Sequence, residues 1–229
     1  MLHQYSQYAN KTLYWLPMDT QELFEYNKIH RYVSLEKNGW IDASFEYNFN
    51  SEGFRGEKFS SDPGVMFLGC SYTVGIGLPF VDVWTTHVAK LLGLPQLNLG
   101  IGGASNDTAF RLANHYIPKL RPKIVIFLES NKYRLEILEY KNQFYNLLPE
   151  FVHSKYNSFY KSWISEEQNS QLNMLKNRFA IGYICNNYNI KFLHFNIDQF
   201  KGLDLARDLG HLGPKSNKLF ADFVIDSIN

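Results

Sequence analysis

The sequence contains a serine, a histidine and an aspartate that together could perform acyl transfer. Ser71 comes just after the apolar run 65–68, and His211 lies three positions after Asp208 near the end of the chain. A serine hydroxyl becomes nucleophilic when an adjacent base takes its proton, and histidine titrates near neutral pH. We therefore interpret Ser71 as a nucleophile, His211 as its general base and Asp208 as the carboxylate that orients the imidazole.

A tetrahedral acyl intermediate also needs N–H donors directed at its oxyanion. The glycine-rich turn 100–103 and the polar stretch 129–131 each follow another apolar run. The donors that these stretches offer are the backbone amides of Ser71 and Gly103 and the side-chain amide of Asn131.

The elements that must position these residues follow from hydrophobic patterning. Short, continuous apolar runs are typical of strands that are buried on both faces of a parallel sheet. The sequence predicts four such strands, over residues 65–68, 96–99, 123–128 and 190–195. A fifth stretch, residues 40–47, alternates partially and predicts a further strand.

Helices are predicted between and after these runs from helical spacing and from cap residues. Residues 130–165 are aromatic-rich and ambiguous, and two helices are the interpretation we adopt. The remaining helices are 83–92 with Asp82 as its cap and Gly93 at its end; a helix from a cap at Asn106 or Asp107 to about Leu120; about 166–187 with Leu172, Leu175 and Phe179 facing inward; and about 214–228 with Pro214 in its first turn.

Strands that alternate with helices imply parallel pairing through right-handed crossovers. We expect a three-layer α/β/α sandwich with a central parallel sheet, of the flavodoxin-like kind, over residues 63–229. Ligands bind beyond the carboxyl ends of the strands in such sheets, where the candidate residues lie. Residues 1–62 are predicted to be an N-terminal extension that packs on this domain. Together with residues 130–165 they are expected to supply the pocket walls.

In these blocks the chain resembles the SGNH, or GDSL-type, hydrolases over about residues 64–229. Gly69-Cys70-Ser71 stands where that family has Gly-Asp-Ser, and the Asp208-Leu-Gly-His211 stretch matches its last block. The resemblance implies that Gly103 and Asn131 serve the oxyanion hole. It also implies a serine hydrolase that cleaves a small ester or acetyl group, for which a carbohydrate is one carrier, through an acyl-enzyme.

Two departures from the family pattern keep other interpretations open. Cys70 replaces the usual aspartate, and the third block reads Glu129-Ser130-Asn131-Lys132, without its glycine and its aspartate. A catalytically weakened binding module for a glycan or an acylated ligand is therefore the main alternative. Cys70 as a thiol nucleophile, Ser71 as a helix cap and the 100–103 loop as a phosphate site are the others.

Composition excludes several further classes of function. The net charge is +1 without a basic stripe, which argues against nucleic-acid binding. The two cysteines have no metal-ligand spacing, so we expect no metal and no other cofactor. No apolar stretch approaches the roughly 20 residues that span a bilayer. The N-terminus lacks signal-peptide features, and a cytoplasmic protein is expected. The oligomeric state leaves no pattern in the sequence.

Overall fold

A computed structural model describes residues 5–139, 143–149 and 157–228 of the chain. Within these ranges it contains eight strands and eight α-helices. In chain order they are β1 (Thr12–Leu13), α1 (Gln21–His30), α2 (Tyr32–Lys37), β2 (Tyr47–Asn48), β3 (Val65–Leu68), α3 (Ser71–Val74), α4 (Trp84–Leu92), β4 (Gln96–Asn98), α5 (Asn106–Leu120), β5 (Ile124–Glu129), β6 (Leu135–Glu139), β7 (Gln143–Leu147), α6 (Asn157–Ser165), α7 (Glu167–Asn187), β8 (Lys191–Asn196) and α8 (Pro214–Asp226).

The centre of the fold is a four-stranded sheet in the order β4-β3-β5-β8. Every pairing in this sheet is parallel, and Phe67 of β3 lies opposite both Asn98 of β4 and Ile126 of β5. The four predicted strands are confirmed, because each observed strand departs from its prediction by no more than one residue at either end. All four carboxyl ends therefore meet at one edge.

The two faces of this sheet are covered by different helices. Val65 and Phe67 of β3 pack in an apolar cluster with residues of α4 and α8. Met66 and Leu68 point to the opposite face and pack with residues of α5 and α7. Successive side chains of a strand alternate between faces, so a strand that is apolar throughout requires a helix layer on each side. The predicted three-layer α/β/α sandwich is confirmed.

The observed caps differ from the predicted ones at two helices. Helix α4 follows Val83 as its N-cap, without a side-chain cap, so the cap predicted at Asp82 is wrong. Helix α5 is capped by Ser105, whose Oγ accepts the Thr108 N–H at 3.2 Å, and not by Asn106 or Asp107. Serine is as strong an N-cap as asparagine or aspartate, so local sequence alone did not distinguish the three neighbours.

The first half of helix α7 buries polar residues where its spacing predicts apolar ones. Leu172 is 64% exposed and Phe179 is 70% exposed. Asn173 and Asn177 face inward instead, and their side-chain amides donate to the Asp107 carboxylate at 3.2 and 2.8 Å. Asn173 and Asn177 are themselves buried, and a buried side-chain amide needs an acceptor, which the partly buried Asp107 carboxylate provides. The predicted inward face is therefore wrong for Leu172 and Phe179.

Strands β6 (Leu135–Glu139) and β7 (Gln143–Leu147) pair antiparallel, as a hairpin, where the sequence led us to expect a helix. The hairpin lies against α5: Arg111 forms a two-pronged ion pair with Glu136, with both N–O distances at 2.7 Å, and the Glu136 N–H donates to Asp107. These contacts with distant residues decide the conformation. The other predicted helix of this region corresponds to α6 (Asn157–Ser165), while residues 150–156 lie outside the described ranges.

The N-terminal segment contributes side chains to the main apolar clusters. Phe24, Leu35 and Trp40 share a cluster with Phe67 of the central sheet. The Trp40 indole N–H also donates to the Leu205 carbonyl at 2.7 Å. The strand predicted over 40–47 is limited to a two-residue pairing of β2 with β1. Residues 5–62 therefore lie against the sheet domain through buried contacts.

Gly75 ends the short helix that begins at Ser71 and offers a test of this packing. Its φ is +77°, and a Cβ built there would lie 2.2 Å from Val83 Cγ2. We expect Gly75→Ala to lower the free energy of unfolding by about 2–4 kcal/mol, through left-handed backbone strain plus the clash. Gly93→Ala is the matched control, because its φ is +61° with nothing within 4 Å, and it should cost about 1 kcal/mol. Equal losses in urea titrations would contradict the close packing at Gly75.

Candidate active site

Ser71 stands at the carboxyl end of β3, where the chain turns from the strand into α3. It is the first residue of α3, and the N-cap position is taken by Cys70. The interpretation of Ser71 as a helix cap is therefore wrong. The Ser71 side chain is largely buried, yet it lines a cavity, and its hydroxyl makes a long hydrogen bond to the Cys70 sulfur at 4.0 Å. Thiols are weak acceptors, so the hydroxyl remains available to a stronger base.

Cys70 has a different environment from its neighbour. It is 1% exposed and packs in the apolar cluster on the α5 and α7 face, beside Met66 and Leu68. It is not among the residues that line the cavity. A buried cysteine among apolar side chains behaves as a small hydrophobe. The surroundings of Cys70 thus give no support to a thiol nucleophile.

Asp208 and His211 form a tightly bonded pair in the loop before α8. Asp208 Oδ2 lies 2.5 Å from His211 Nδ1, and Oδ1 accepts the backbone N–H groups of Gly210 and His211 at 3.2 and 3.1 Å. A carboxylate at Nδ1 fixes the proton there and leaves Nε2 as the basic nitrogen. The Tyr72 ring packs edge-on against the imidazole at 5.2 Å, and burial raises the pKa of the Tyr72 phenol.

A buried ion pair lies directly behind this loop. The Arg207 guanidinium donates to both carboxylate oxygens of Asp19, at 3.1 and 2.7 Å, and both residues are 1% exposed. The Tyr47 hydroxyl donates to the same carboxylate and accepts the Gly77 N–H at 2.8 Å. Leu209 has a φ of +53°, an uncommon conformation for a residue with a side chain. The loop is thus held from behind by residues of the N-terminal segment.

One cavity of about 370 Å³ brings Ser71, His211 and Gly103 together. Segments outside the central sheet provide the rest of its lining, which agrees with the expectation for residues 1–62 and 130–165. These lining residues are Tyr5, Gln7, Tyr8, Pro17, Met18, Arg134 and Leu148, joined by Ile76 and Gly102. The carboxyl edge of the sheet and the added segments together make this cavity.

The glycine turn supplies one free backbone donor to the cavity. Gly103 has a φ of +72°, and no protein acceptor among the described residues receives its N–H or that of Ser71. The neighbouring donors are already used: the Gly100 N–H donates to Asn98 at 2.9 Å and the Gly102 N–H donates to the Tyr5 hydroxyl at 3.1 Å. A phosphate cradle needs several free N–H groups in a row. The turn therefore does not fit the phosphate-site interpretation, whereas two isolated donors fit an oxyanion.

Asn131 lies away from this cavity. Its side-chain oxygen accepts the Tyr133 N–H at 3.0 Å, and the residue lines a separate cavity of about 490 Å³ with Lys132. Glu129 is 1% exposed and forms a two-pronged ion pair with Arg178, at 2.5 and 2.9 Å. The structure thus separates Asn131 from Ser71 and His211, and an oxyanion role for Asn131 stays a prediction from the resemblance.

The arrangement has the components of general-base catalysis at a hydroxyl. Ser71 and His211 line one cavity but do not hydrogen-bond to each other in this structure. Hydrogen bonds between catalytic groups are often long without substrate and shorten in the complex. Sequence patterns gave no signal for Arg134, Asp19 and Arg207, because single charged residues in weakly periodic segments carry none.

The described residues contain neither a metal-binding cluster nor a membrane-spanning helix. No group of three or more His, Cys, Asp or Glu side chains in these ranges is arranged to hold a metal ion. No helix in them combines the length and the apolar character that crossing a membrane requires. The cytoplasmic location inferred from the sequence stays a prediction.

Comparison with known proteins gives distant similarities in structure alone. No family model and no curated protein matches the sequence. Among solved structures, a psychrotrophic esterase from Pseudoalteromonas sp. is 14% identical with a TM-score of 0.40, covering 73% of this chain and 97% of its own. An acetyl xylan esterase from Butyrivibrio proteoclasticus is 14% identical with a TM-score of 0.40, and the match covers 81% of this chain and 66% of the esterase. A carbohydrate acetylesterase family member from Sinorhizobium meliloti is 9% identical with a TM-score of 0.39, covering 73% and 97%.

The ion pair behind the loop can be tested by removing one charge. We expect Asp19→Asn to lower the free energy of unfolding by about 3–5 kcal/mol, because the Arg207 guanidinium would stay buried without its counter-charge. Glu25→Gln is the control, since Glu25 and Lys28 form an exposed pair at 3.8 Å, and no measurable loss is expected. Chemical denaturation of both variants measures the difference. A loss below about 1 kcal/mol for Asp19→Asn would show that the pair does not hold the loop.

Proposed function

We propose that the chain is a serine ester hydrolase of the SGNH type. The observation that carries this proposal is the Asp208–His211 pair, held at 2.5 Å, at the same cavity as Ser71. In this proposal Ser71 is the nucleophile, His211 the general base and Asp208 the group that orients it. Gly103 and Ser71 contribute backbone donors to the oxyanion.

Acylation follows from these roles. The imidazole of His211 takes the proton of Ser71 as the Oγ attacks the ester carbonyl, and Asp208 stabilises the imidazolium that forms. The carbonyl oxygen becomes an oxyanion, which accepts hydrogen bonds from the Ser71 and Gly103 N–H groups. Collapse of the tetrahedral intermediate breaks the bond to the alcohol, and His211 returns the proton to the departing oxygen. An acyl-Ser71 ester and a free alcohol result.

Deacylation repeats the sequence with water as the nucleophile. His211 takes a proton from a water molecule as it attacks the acyl carbonyl, and the same two backbone N–H groups donate to the oxyanion. Collapse of the second intermediate breaks the bond to Ser71 Oγ, and the histidine returns the proton to the serine. The products are a carboxylic acid and the free enzyme.

The dimensions of the cavity favour a small acyl group. Its volume of about 370 Å³ lies near the lower end of the range for small-molecule sites. Apolar side chains of Ile76, Leu148 and Met18 lie in its wall. An acetyl or similarly short acyl group fits such a space, and a carbohydrate as its carrier stays a prediction from the resemblance.

The second candidate is a binding module that keeps the fold with little or no turnover. Two observations favour it: Asn131 lies outside the cavity, and Ser71 makes no hydrogen bond to His211. A module of this kind would bind a glycan or an acylated ligand, and His211→Ala would leave that binding intact. The hydrolase hypothesis predicts instead that the wild type turns the ligand over and that His211→Ala loses this turnover, because turnover requires the base.

Turnover of para-nitrophenyl acetate by the wild type, Ser71→Ala and Cys70→Ala tests the hydrolase. We expect Ser71→Ala to lower kcat by at least about a thousandfold, because the nucleophile is gone. Cys70→Ala is the matched control from the adjacent position and should keep most of the activity. Loss of activity in Cys70→Ala alone would point to the thiol, and equal rates in the wild type and Ser71→Ala would end the serine mechanism.

Covalent labelling gives an independent measurement. A serine-directed fluorophosphonate should form an adduct that maps to Ser71 by peptide mass spectrometry. We expect His211→Ala to slow the labelling strongly, because the imidazole no longer removes the hydroxyl proton. An unlabelled wild-type protein that binds an acylated ligand without turnover would support the binding module.

A further inference from the structure

Arg134 is the cation that faces the cavity of Ser71 and His211. It stands between the end of β5 and the start of β6, beside the glycine turn. Within the described ranges its one hydrogen bond is long, from Nη1 to the Ala104 carbonyl at 3.5 Å. Its Nε is buried and has no partner among the described residues. A guanidinium has five donors, so most of those of Arg134 have no protein acceptor.

Three other arginines that are wholly or partly buried have either a carboxylate partner or several short hydrogen bonds. Arg207 pairs with Asp19 at 2.7 Å, and Arg178 pairs with Glu129 at 2.5 Å. Arg55, which is 2% exposed, donates to three backbone carbonyls. Charges withdrawn from water are normally compensated in this way. Arg134 has no carboxylate within ion-pair distance in the described part of the chain, which leaves its guanidinium open to an anionic ligand.

The charge of the cavity wall points to a ligand. Among the residues that the structure describes, no aspartate or glutamate lines the cavity. The carboxylate of Asp208, which pairs with the His211 imidazole, is already engaged by that ring and by two backbone N–H groups. The guanidinium fork matches the two oxygens of a carboxylate, and one cation balances one negative charge better than the two of a phosphate monoester.

We propose that Arg134 binds a carboxylate on the substrate, so that the preferred substrates are small esters that carry one carboxylate group. This inference rests on the proposed ester hydrolase and adds the class of ester. The guanidinium holds the anionic end of the substrate while the ester carbonyl lies between Ser71 and the Gly103 N–H. Arg134 acts here as a specificity-determining residue.

The test compares two esters that differ in charge. The probes are para-acetoxybenzoate and its methyl ester, which place the same acetyl group on an anionic and on a neutral phenol. The ratio of their kcat/KM values is measured for the wild type, Arg134→Met and Arg134→Lys. Taking the ratio across variants cancels the difference between the two leaving groups.

We expect Arg134→Met to lower the preference for the carboxylate ester by roughly 10- to 100-fold, as for loss of hydrogen bonds to a charged group. Arg134→Lys should keep part of the preference, because it retains the charge without the fork. Lys132→Met is the matched control, since that neighbouring cation pairs with Glu167 and lines the other cavity. It should leave the ratio unchanged. Circular dichroism and thermal unfolding check that each variant is folded.

The results separate this inference from the hydrolase itself. If Arg134→Met slows both esters by the same factor, Arg134 acts on the reacting carbonyl, and the carboxylate site is overturned while the hydrolase stands. If Arg134→Met leaves the kcat/KM values of both esters unchanged, the carboxylate site is overturned as well. If the wild type hydrolyses neither ester, the proposed hydrolase fails, and a binding measurement then tests the carboxylate site on its own. Thermal stabilisation by para-hydroxybenzoate that is lost in Arg134→Met would support a carboxylate site, and its absence in the wild type would exclude one.

Discussion

The buried ion pair between Asp19 and Arg207 connects three parts of the chain that are distant in sequence. Arg207 immediately precedes Asp208, its backbone N–H donates to the Gly77 carbonyl at 2.9 Å, and its guanidinium contacts the aspartate of the N-terminal segment. Tyr47 bridges the same carboxylate to the Gly77 N–H. A buried charge that loses its partner is strongly unfavourable, so these groups constrain one another. The position of the proposed base therefore depends on residues far from the central sheet.

The parallel sheet supplies the complementary constraint. Because β3 and its neighbours run in the same direction, the turn with Ser71 and the turn with Gly103 reach one edge. The sheet does not by itself enclose that edge. Tyr5, Arg134 and Leu148 come from the N-terminal segment and from around the hairpin, and they complete the cavity. The rigid layer thus positions the reactive groups, and the added segments determine what can approach them.

Polar residues decide several features that hydrophobic spacing did not predict. Asp107 accepts hydrogen bonds from Asn173 and Asn177 of α7 and from the Glu136 backbone in β6. One carboxylate thereby determines which face α7 buries and where the hairpin lies. Spacing of apolar residues is a sound guide where burial is apolar, as in the four strands. It fails over residues 172–179 of α7, where Asn173 and Asn177 donate to the Asp107 carboxylate while Leu172 and Phe179 stay exposed.

The sequence by itself determined the four strands, the layer order and the proximity of Ser71 to Gly103. Continuous apolar runs cannot be exposed, and parallel strands must end at a common edge. It also placed Asp208 beside His211, since three residues span one tight turn. Only the tertiary structure decided that Asn131 faces another cavity, that Asp19 holds the loop of the proposed base and that Arg134 faces Ser71. Those outcomes depend on pairing between single charged and polar groups that are far apart in the chain, and such pairs leave no periodic pattern in a sequence.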